Sequence, residues 1–346
     1  MYKISIIIPI YNVRDYIGRC VESVLLQECS EVAIECILID DCSPDDSMEI
    51  ATKMIDDYRS REGMIQFETL RLSENSGHCA ARNAAVRIAT GDYYLFVDAD
   101  DYLEPDAVRY MVEELDAAVV QPDVVVANAI SCRDNRPMSI IPKKRLIDNS
   151  DGEGLSLIMN LILLHTSWNK LVKANVFAEY GLYFADGIIN EDWLWSYMLF
   201  RHAKTILLLP RATYYYENNP QSISNTRTYD KFLKFIRSRN YICNQIFSNP
   251  PHVITPDYYG YLFCILHRMV NTLENHKELP DAERMETRLL RRRLMCSSWK
   301  SGYPLLCCLI LTTYKPFYYV IKLKAFRHHF YNIKRKVVTA SRKIHF

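Results

Sequence analysis

At 346 residues and 49% apolar content, the chain can bury a large core, with room for one main domain and a smaller one. Its formal net charge of +1 hides a division: from Thr287 onward there are 14 Lys and Arg and no Asp or Glu, which leaves residues 1–286 at −13. The first apolar run begins almost at Met1, from which no signal peptide is expected, and no repeat or low-complexity segment occurs.

In chain order, the first element is a buried strand, Ile4-Ser5-Ile6-Ile7-Ile8, broken by Pro9 and followed by Tyr11-Asn12. Asp15 stands where a helix N-cap belongs, before Ile17, Cys20, Val21, Val24 and Leu25 at helical spacing. A second strand over 34–39 runs into Asp40-Asp41-Cys42-Ser43-Pro44-Asp45, where another helix starts. A third strand over 65–72 precedes Asn75-Ser76-Gly77 and a helix that carries Ala81-Arg82-Asn83 as far as Ala89. After the turn Gly91-Asp92 comes Tyr94-Leu95-Phe96-Val97, a strand-forming run that ends in Asp98, Asp100 and Asp101. Strand, polar tip and helix repeat, which predicts a parallel, helix-covered sheet with each polar cluster at the same edge. Carboxylates at such a strand tip project into the crevice where open α/β sheets bind ligands. Acids one residue apart on an extended chain face the same way and can hold a hard divalent cation. Alone, an Asp-x-Asp is equally a solvated turn.

Further along, a helix over 105–118 leads to a strand over 122–128, and residues 154–164 form a short, very apolar helix. Trp168-Asn169-Lys170 follows, then Glu191-Asp192-Trp193-Leu194-Trp195, which opens a helix to about His202. Residues 206–210 and 212–216 read as two short strands, 217–228 as a mobile loop, and 230–248, 256–276 and 281–299 as three helices. The eleven cysteines are scattered, with no Cys-x-x-Cys pair or histidine spacing of a zinc site, so they read as buried reduced thiols. His78 and His202 stand alone and read as structural.

The series Pro9-Ile10-Tyr11-Asn12, Ile39-Asp40-Asp41-Cys42-Ser43-Pro44-Asp45, Asn75-Ser76-Gly77 with Ala81-Arg82-Asn83, and Phe96-Val97-Asp98-Ala99-Asp100-Asp101 closely resembles family 2 of the inverting, GT-A-fold glycosyltransferases. Trp168-Asn169-Lys170 and Glu191-Asp192 match later family elements, so the resemblance covers residues 3–220 in the right order. Cys42 departs from the pattern, which usually has glycine or another small residue there. The resemblance implies an α/β GT-A (Rossmann-like) fold, with a mostly parallel sheet flanked by helices. Residues 1–220 would form the catalytic domain, 1–101 its nucleotide-sugar half and 102–220 its acceptor half; residues 221–346 read as a helical C-terminal region that is basic from 287. It further implies transfer from a nucleotide-diphosphate sugar, with uridine diphosphate the expected carrier. The acceptor would be a hydroxyl of a glycan or lipid-linked glycan, and the cofactor Mg2+ or Mn2+.

Roles follow from the same resemblance. Pro9, Tyr11 and Asp41 would hold the nucleoside, with Asp40 the adjacent alternative. Asn75, Gly77 and Arg82 would shape the pyrophosphate side, Arg82 being equally open to a structural salt bridge. Asp100 is the first choice as metal ligand, Asp98 reaches the ribose or the metal, and Asp101 caps the following turn. Asp192 matches the family's general base, and Glu191 beside it orients the acceptor or the helix. The plainer reading of both is acids complementing a helix macrodipole. Trp168, Lys170 and Trp193 fall on the acceptor side, though Trp193 and Trp195 are equally open to a core role. A nucleotide-sugar-binding or nucleotidyltransferase-like protein without glycosyl transfer is the alternative. Nucleotidyltransferases rely on an N-terminal glycine-rich loop, whereas this chain has Pro9-Ile10-Tyr11-Asn12.

Apolar runs over 303–311 and 317–321 in the tail fall short of the roughly 20 residues that span a bilayer. A basic segment with interleaved aromatic and aliphatic residues suggests lying on an anionic membrane surface. That reading makes the protein cytoplasmic and peripheral on the inner face of the plasma membrane; the alternative is ordinary helices packed on the acidic part. Nucleic acid would also attract these cations, but the sugar-transferase signature argues against it.

Overall fold

The computed structural model describes residues 1–159, 165–219, 228–275 and 280–303. Residues Met1–Arg291 form one compact unit; of the second, Arg292–Phe346, the end of the last helix and a turn at Gly302 are described. The chain runs β1 (Lys3–Ile10), α1 (Ile17–Leu25), β2 (Ala33–Asp40), α2 (Ser47–Arg59), β3 (Gln66–Arg71), α3 (His78–Ile88), β4 (Tyr93–Phe96), β5 (Tyr102–Leu103) and α4 (Ala107–Asp116). It continues through β6 (Val124–Ser131), β7 (Arg136–Pro137), β8 (Arg145–Asp148), α5 (Glu153–Met159), β9 (Lys170–Lys173), α6 (Ala174–Tyr180), α7 (Glu191–His202) and β10 (Thr205–Tyr216). Three helices close it: α8 (Tyr229–Ser248), α9 (Pro256–Asn275) and α10 (Asp281–Lys300).

The strands form one sheet in the order β3-β2-β1-β4-β9-β6-β10-β5. The β3-β2-β1-β4 half is parallel, and β6 pairs parallel with β10. β9 joins the halves by running antiparallel to both β4 and β6. Parallel strands are covered on both faces, so β1 and β2 read as unbroken apolar runs. Alternate side chains go to different layers. Ile4, Ile6, Ile8 and Ile10 join a core with Val21 and Val24 of α1, Ile55 of α2 and Val108 and Met111 of α4. Phe96 belongs to an aromatic cluster with Phe177, Phe184 and Trp195. This double burial fixes where each strand stops, and the acids begin where the apolar runs end.

The expected α/β architecture holds, with two local corrections. Asp15 does not cap α1: its N-cap is Tyr16, and the amides of Tyr16 and Ile17 both donate to Val13 O at 2.9 Å. The two short strands expected over 206–216 are one strand, β10, with register shifts between Leu209 and Ala212 and between Ala212 and Tyr214. Such bulges let a strand bend without ending, which a break in apolar pattern at Pro210-Arg211 cannot distinguish from a turn. The helix expected over 154–164 appears as α5 up to Met159, its remainder lying outside the described residues. Among the described residues no helix is long and apolar enough to cross a membrane. The tail beyond Tyr303, on which the membrane expectation rests, lies outside them.

Candidate active site

β1 and β2 end side by side, the Asp41 amide donating to Ile10 O at 2.9 Å. Pro9 pairs with Ile39 inside the sheet, and Tyr11, just beyond it, is 44% exposed. Asp40 and Asp41 part company, as strand alternation requires. Asp40 is fully buried, accepts the Ser43 amide at 2.7 Å and pairs with Arg71 at 3.1 Å. Asp41 accepts the amides of Ser76 (2.7 Å) and Gly77 (2.8 Å), tying the loop after β3 to the tip of β2; burial outweighs these bonds and raises its pKa. Asn75 is exposed next to them. Gly77 has φ +90° and ψ 156°, backbone that glycine alone adopts readily, although nothing crowds its missing side chain. Cys42 has φ +59°, the left-handed region, so the chain carries a thiol where the backbone favours glycine.

After β4 three carboxylates take three different partners. Asp98 accepts from Arg82 Nη2 at 2.6 Å, and its amide donates to the Tyr214 hydroxyl at 3.1 Å. Asp100 accepts from Asn219 Nδ2 at 3.0 Å. Asp101 is buried and accepts the Tyr214 hydroxyl at 2.6 Å and the Glu217 amide at 2.7 Å. It therefore latches β4 to the end of β10, not the following turn as expected. Burial, then the charge of Asp98, raises the pKa of both Asp100 and Asp101. Asp98 and Asp100 are hard oxygen donors whose like charges disfavour one another, and a divalent cation relieves that conflict. The pair fits Mg2+ or Mn2+.

The third component is the N-terminus of α7. Asn190 precedes it at φ +59°, and α8 fixes this turn: Arg239 Nη2 donates to Asn190 Oδ1 at 3.0 Å and Ser238 Oγ accepts the Ile189 amide at 2.9 Å. Glu191 is buried, with Oε1 at 2.7 Å from His78 Nε2 and 3.2 Å from Arg82 Nη1. Burial would raise its pKa, but His78 and Arg82 outweigh that and hold it at about 2. Asp192 shows the opposite balance. Burial, reinforced by the Glu191 charge, raises it to about 7, and its buried Oδ1 has no hydrogen-bond partner among the described residues. Arg82 joins the two acid groups: almost wholly buried, it reaches Asp98 with one nitrogen and Glu191 with another. Its own burial favours the neutral form, which Asp98, Asp192 and Glu191 together overcome.

The expected acceptor residues lie deeper than the sequence suggests. Trp168 is 3% exposed and stacks on Tyr214 at 4.5 Å. Lys170 is fully buried, its Nζ donating to Thr166 O (2.8 Å) and Asn169 Oδ1 (2.9 Å), and burial lowers its pKa to about 7. Trp193 packs on His165 at 4.0 Å, with the Arg239 guanidinium 4.5 Å from its ring centroid. Trp195 belongs to the core, stacked on Phe184 at 5.1 Å. His202 stacks on Tyr180 at the far end of α7, beside a cavity of about 440 Å³ that shares no residue with the acid cluster. The structure adds Tyr214, Asn219 and His78 to the site. Tyr214 sits in a Tyr-Tyr-Tyr run that carries only a strand signal, and His78 gains its meaning from Glu191, far away in sequence.

The model of glycosyl transferase family 2 matches residues 5–170. The chain is 31% identical over 226 residues to the glycosyltransferase EpsJ of Bacillus subtilis, covering 64% of this chain and 62% of that protein. To YibD of Escherichia coli, also named a glycosyltransferase, it is 30% identical over 249 residues, 69% of this chain and 68% of that one. It spans less than two thirds of EpsJ, and 35% of the longer poly(ribitol-phosphate) β-N-acetylglucosaminyltransferase TarS of Staphylococcus aureus. The fold is shared with the crystal structure of TarS in complex with UDP-GlcNAc, at a TM-score of 0.65 and 20% identity over 85% of this chain and 80% of that one. With the ordered motifs and the YibD match over more than two thirds of both chains, the chain belongs to glycosyl transferase family 2.

Proposed function

We propose that the protein is an inverting glycosyltransferase that moves a sugar from a uridine-diphosphate sugar to a hydroxyl of a glycan or lipid-linked glycan. The observation that carries this reading is the buried Arg82, which binds Asp98 at 2.6 Å and Glu191 at 3.2 Å and so ties the neighbour of the candidate base, Asp192, to the candidate donor acids. Tyr11 and Asp41 would hold the nucleoside, and Asp98 and Asp100 would hold Mg2+ or Mn2+. When bound there, the cation offsets charge that develops on the departing diphosphate. The acceptor oxygen bonds to the anomeric carbon as the bond to the diphosphate breaks, the diphosphate leaving with the electron pair and Asp192 taking the hydroxyl proton. A carboxylate raised to about 7 is well matched to that task, because proton transfer is most efficient when the base titrates near the working pH. TarS, which shares the fold, is named for a sugar transfer to a polymer and has been crystallised with UDP-GlcNAc. The basic, acid-free sequence after Thr287 supports placing the reaction at an anionic membrane surface on the cytoplasmic side.

The test is release of nucleotide from a panel of nucleotide sugars with and without manganese, on the full chain and on Asp100→Asn. One uridine-diphosphate sugar should be turned over in a chelator-sensitive way, and the variant should keep its fold while losing donor binding. No nucleotide release or binding with any donor would overturn the proposal.

A further inference from the structure

We infer that His78, Cys79 and Glu191 form a second cation site, suited to zinc, and that filling it turns the transferase off. The regulatory half of this rests on the function proposed above; the site itself does not. A ring nitrogen of His78, Sγ of Cys79 and a carboxylate oxygen of Glu191 all lie within 4.8 Å of one another. Imidazole, thiolate and carboxylate are the donors zinc takes, and three protein ligands with one open position is its usual non-structural arrangement. Magnesium and manganese favour all-oxygen surroundings, so this group and the Asp98–Asp100 pair would sort cations by softness.

The required movement is small. Zinc bonds of roughly 2.0–2.3 Å set tetrahedral ligands about 3.3–3.7 Å apart. His78 Nε2 and Glu191 Oε1, now 2.7 Å apart, must open slightly, and Cys79 Sγ already lies within 4.8 Å of both groups. His78 and Cys79 begin α3 and Glu191 begins α7, so the adjustment falls at two helix starts. The His78 side chain is 37% exposed, which gives an ion a way in, whereas Cys79 is buried at 4%. On binding, the ion exchanges waters for protein ligands, the Cys79 thiol proton leaves to solvent, and His78 Nε2 gives up the proton it shares with Glu191, to solvent from the imidazolium or to Nδ1 by tautomerisation of the neutral ring, with no change of oxidation state. The cost falls on Arg82. Glu191 Oε1 accepts from both His78 and Arg82, and a cation on that oxygen displaces the first contact and competes with the second. The link from Asp98 to the start of α7 is then broken at the Glu191 end.

Cobalt titration of the full chain tests the site, using Asp100→Asn to remove competition from the donor pair. One equivalent should produce the near-ultraviolet thiolate-to-cobalt absorption, and zinc should displace it. Cys79→Ser should abolish the band and weaken binding by more than the roughly 10–100-fold that losing an outer-shell partner costs. Cys42→Ser should keep it, and His78→Gln gives a second loss at a partly exposed position. In turnover assays with manganese, zinc should inhibit the parent protein, while Cys79→Ser should work normally and resist zinc. Absence of the band, or its survival in Cys79→Ser, overturns the site. A band lost in Cys79→Ser with zinc inhibition unchanged overturns the switch. Failure of all donors to react would overturn the proposed function instead, and the cobalt result would still decide the site.

Discussion

The acids after β4 and those opening α7 solve one problem in two ways. Both groups hold neighbouring carboxylates, and in both, one member is tied to distant partners while another is left for chemistry. At the β4 tip, Asp101 is turned inward to Tyr214 and the Glu217 amide, leaving Asp98 and Asp100 as a like-charged oxygen pair. At α7, Glu191 takes His78 and Arg82 and stays ionised, while Asp192 is driven towards neutral pH. The first arrangement suits a cation, the second a proton. Adjacent acids are therefore not redundant: burial and partners divide the work between them.

Removing the residue that joins the two groups should have the largest effect. Arg82→Met leaves Asp98 and Glu191 without their shared cation, and breaking a buried pair costs about 3–5 kcal/mol. Urea denaturation should show this as a lower midpoint with unchanged slope. A loss below about 1 kcal/mol would mean that the two acid groups are independent.

Next in size, Asp192→Asn should slow transfer at least about a hundredfold while leaving donor affinity roughly unchanged, the usual range for losing a general base. Calorimetry with the donor separates the two; a parallel loss of affinity would move Asp192 into the nucleotide site. The same variant should be more stable than the parent at pH 8. The folded pKa of Asp192, about 7, lies above the unfolded value of about 3.9, so the native state holds an extra proton between them. Stability from this residue is full below pH 4 and falls as pH rises through 7, a slope the amide abolishes.

A smaller effect is expected in the pH profile. As the proposed base, Asp192 must be ionised to accept a proton, so kcat/KM should rise about tenfold per pH unit up to about 7 and then level. A limb near pH 4 would assign the base elsewhere. The smallest effect concerns the turn after β2. Glycine fits a φ of +59° better than cysteine, so Cys42→Gly should gain about 1 kcal/mol or less, part being lost to the greater freedom of the unfolded chain. Destabilisation would show that the thiol's packing outweighs its backbone strain.

The parallel half of the fold was legible because it rests on local signals. Doubly buried strands leave unbroken apolar runs, and the polar tips of β1, β2 and β4 fall where those runs stop. The helices expected over 230–248, 256–276 and 281–299 are found at Tyr229–Ser248, Pro256–Asn275 and Asp281–Lys300, each with a periodic pattern long enough to count. What stayed hidden depends on distant partners. Nothing beside Asp101 in sequence announces that it faces Tyr214, and nothing around Trp168 shows that its ring lies flat on that same tyrosine. Arg82 could be read as a phosphate contact or an ion pair, since its neighbours in α3 are apolar or neutral, and only the fold supplies Asp98 and Glu191.

The hydroxyl of Tyr214 also sets a schedule for the growing chain. The hydrogen bonds that position Asp98, Asp100 and Asp101 from β10 and the residues after it span 113 to 119 positions. At synthesis rates of about 5–20 residues per second, some 6–23 s pass between emergence of Asp101 and of Tyr214. During that interval β1 to β4 and their helices can pair, because their contacts are closer in sequence. The three acids meanwhile lack Tyr214, Glu217 and Asn219. The nascent protein thus acquires its β1–β4 scaffold before Asp98, Asp100 and Asp101 have the partners from β10 and beyond that position them.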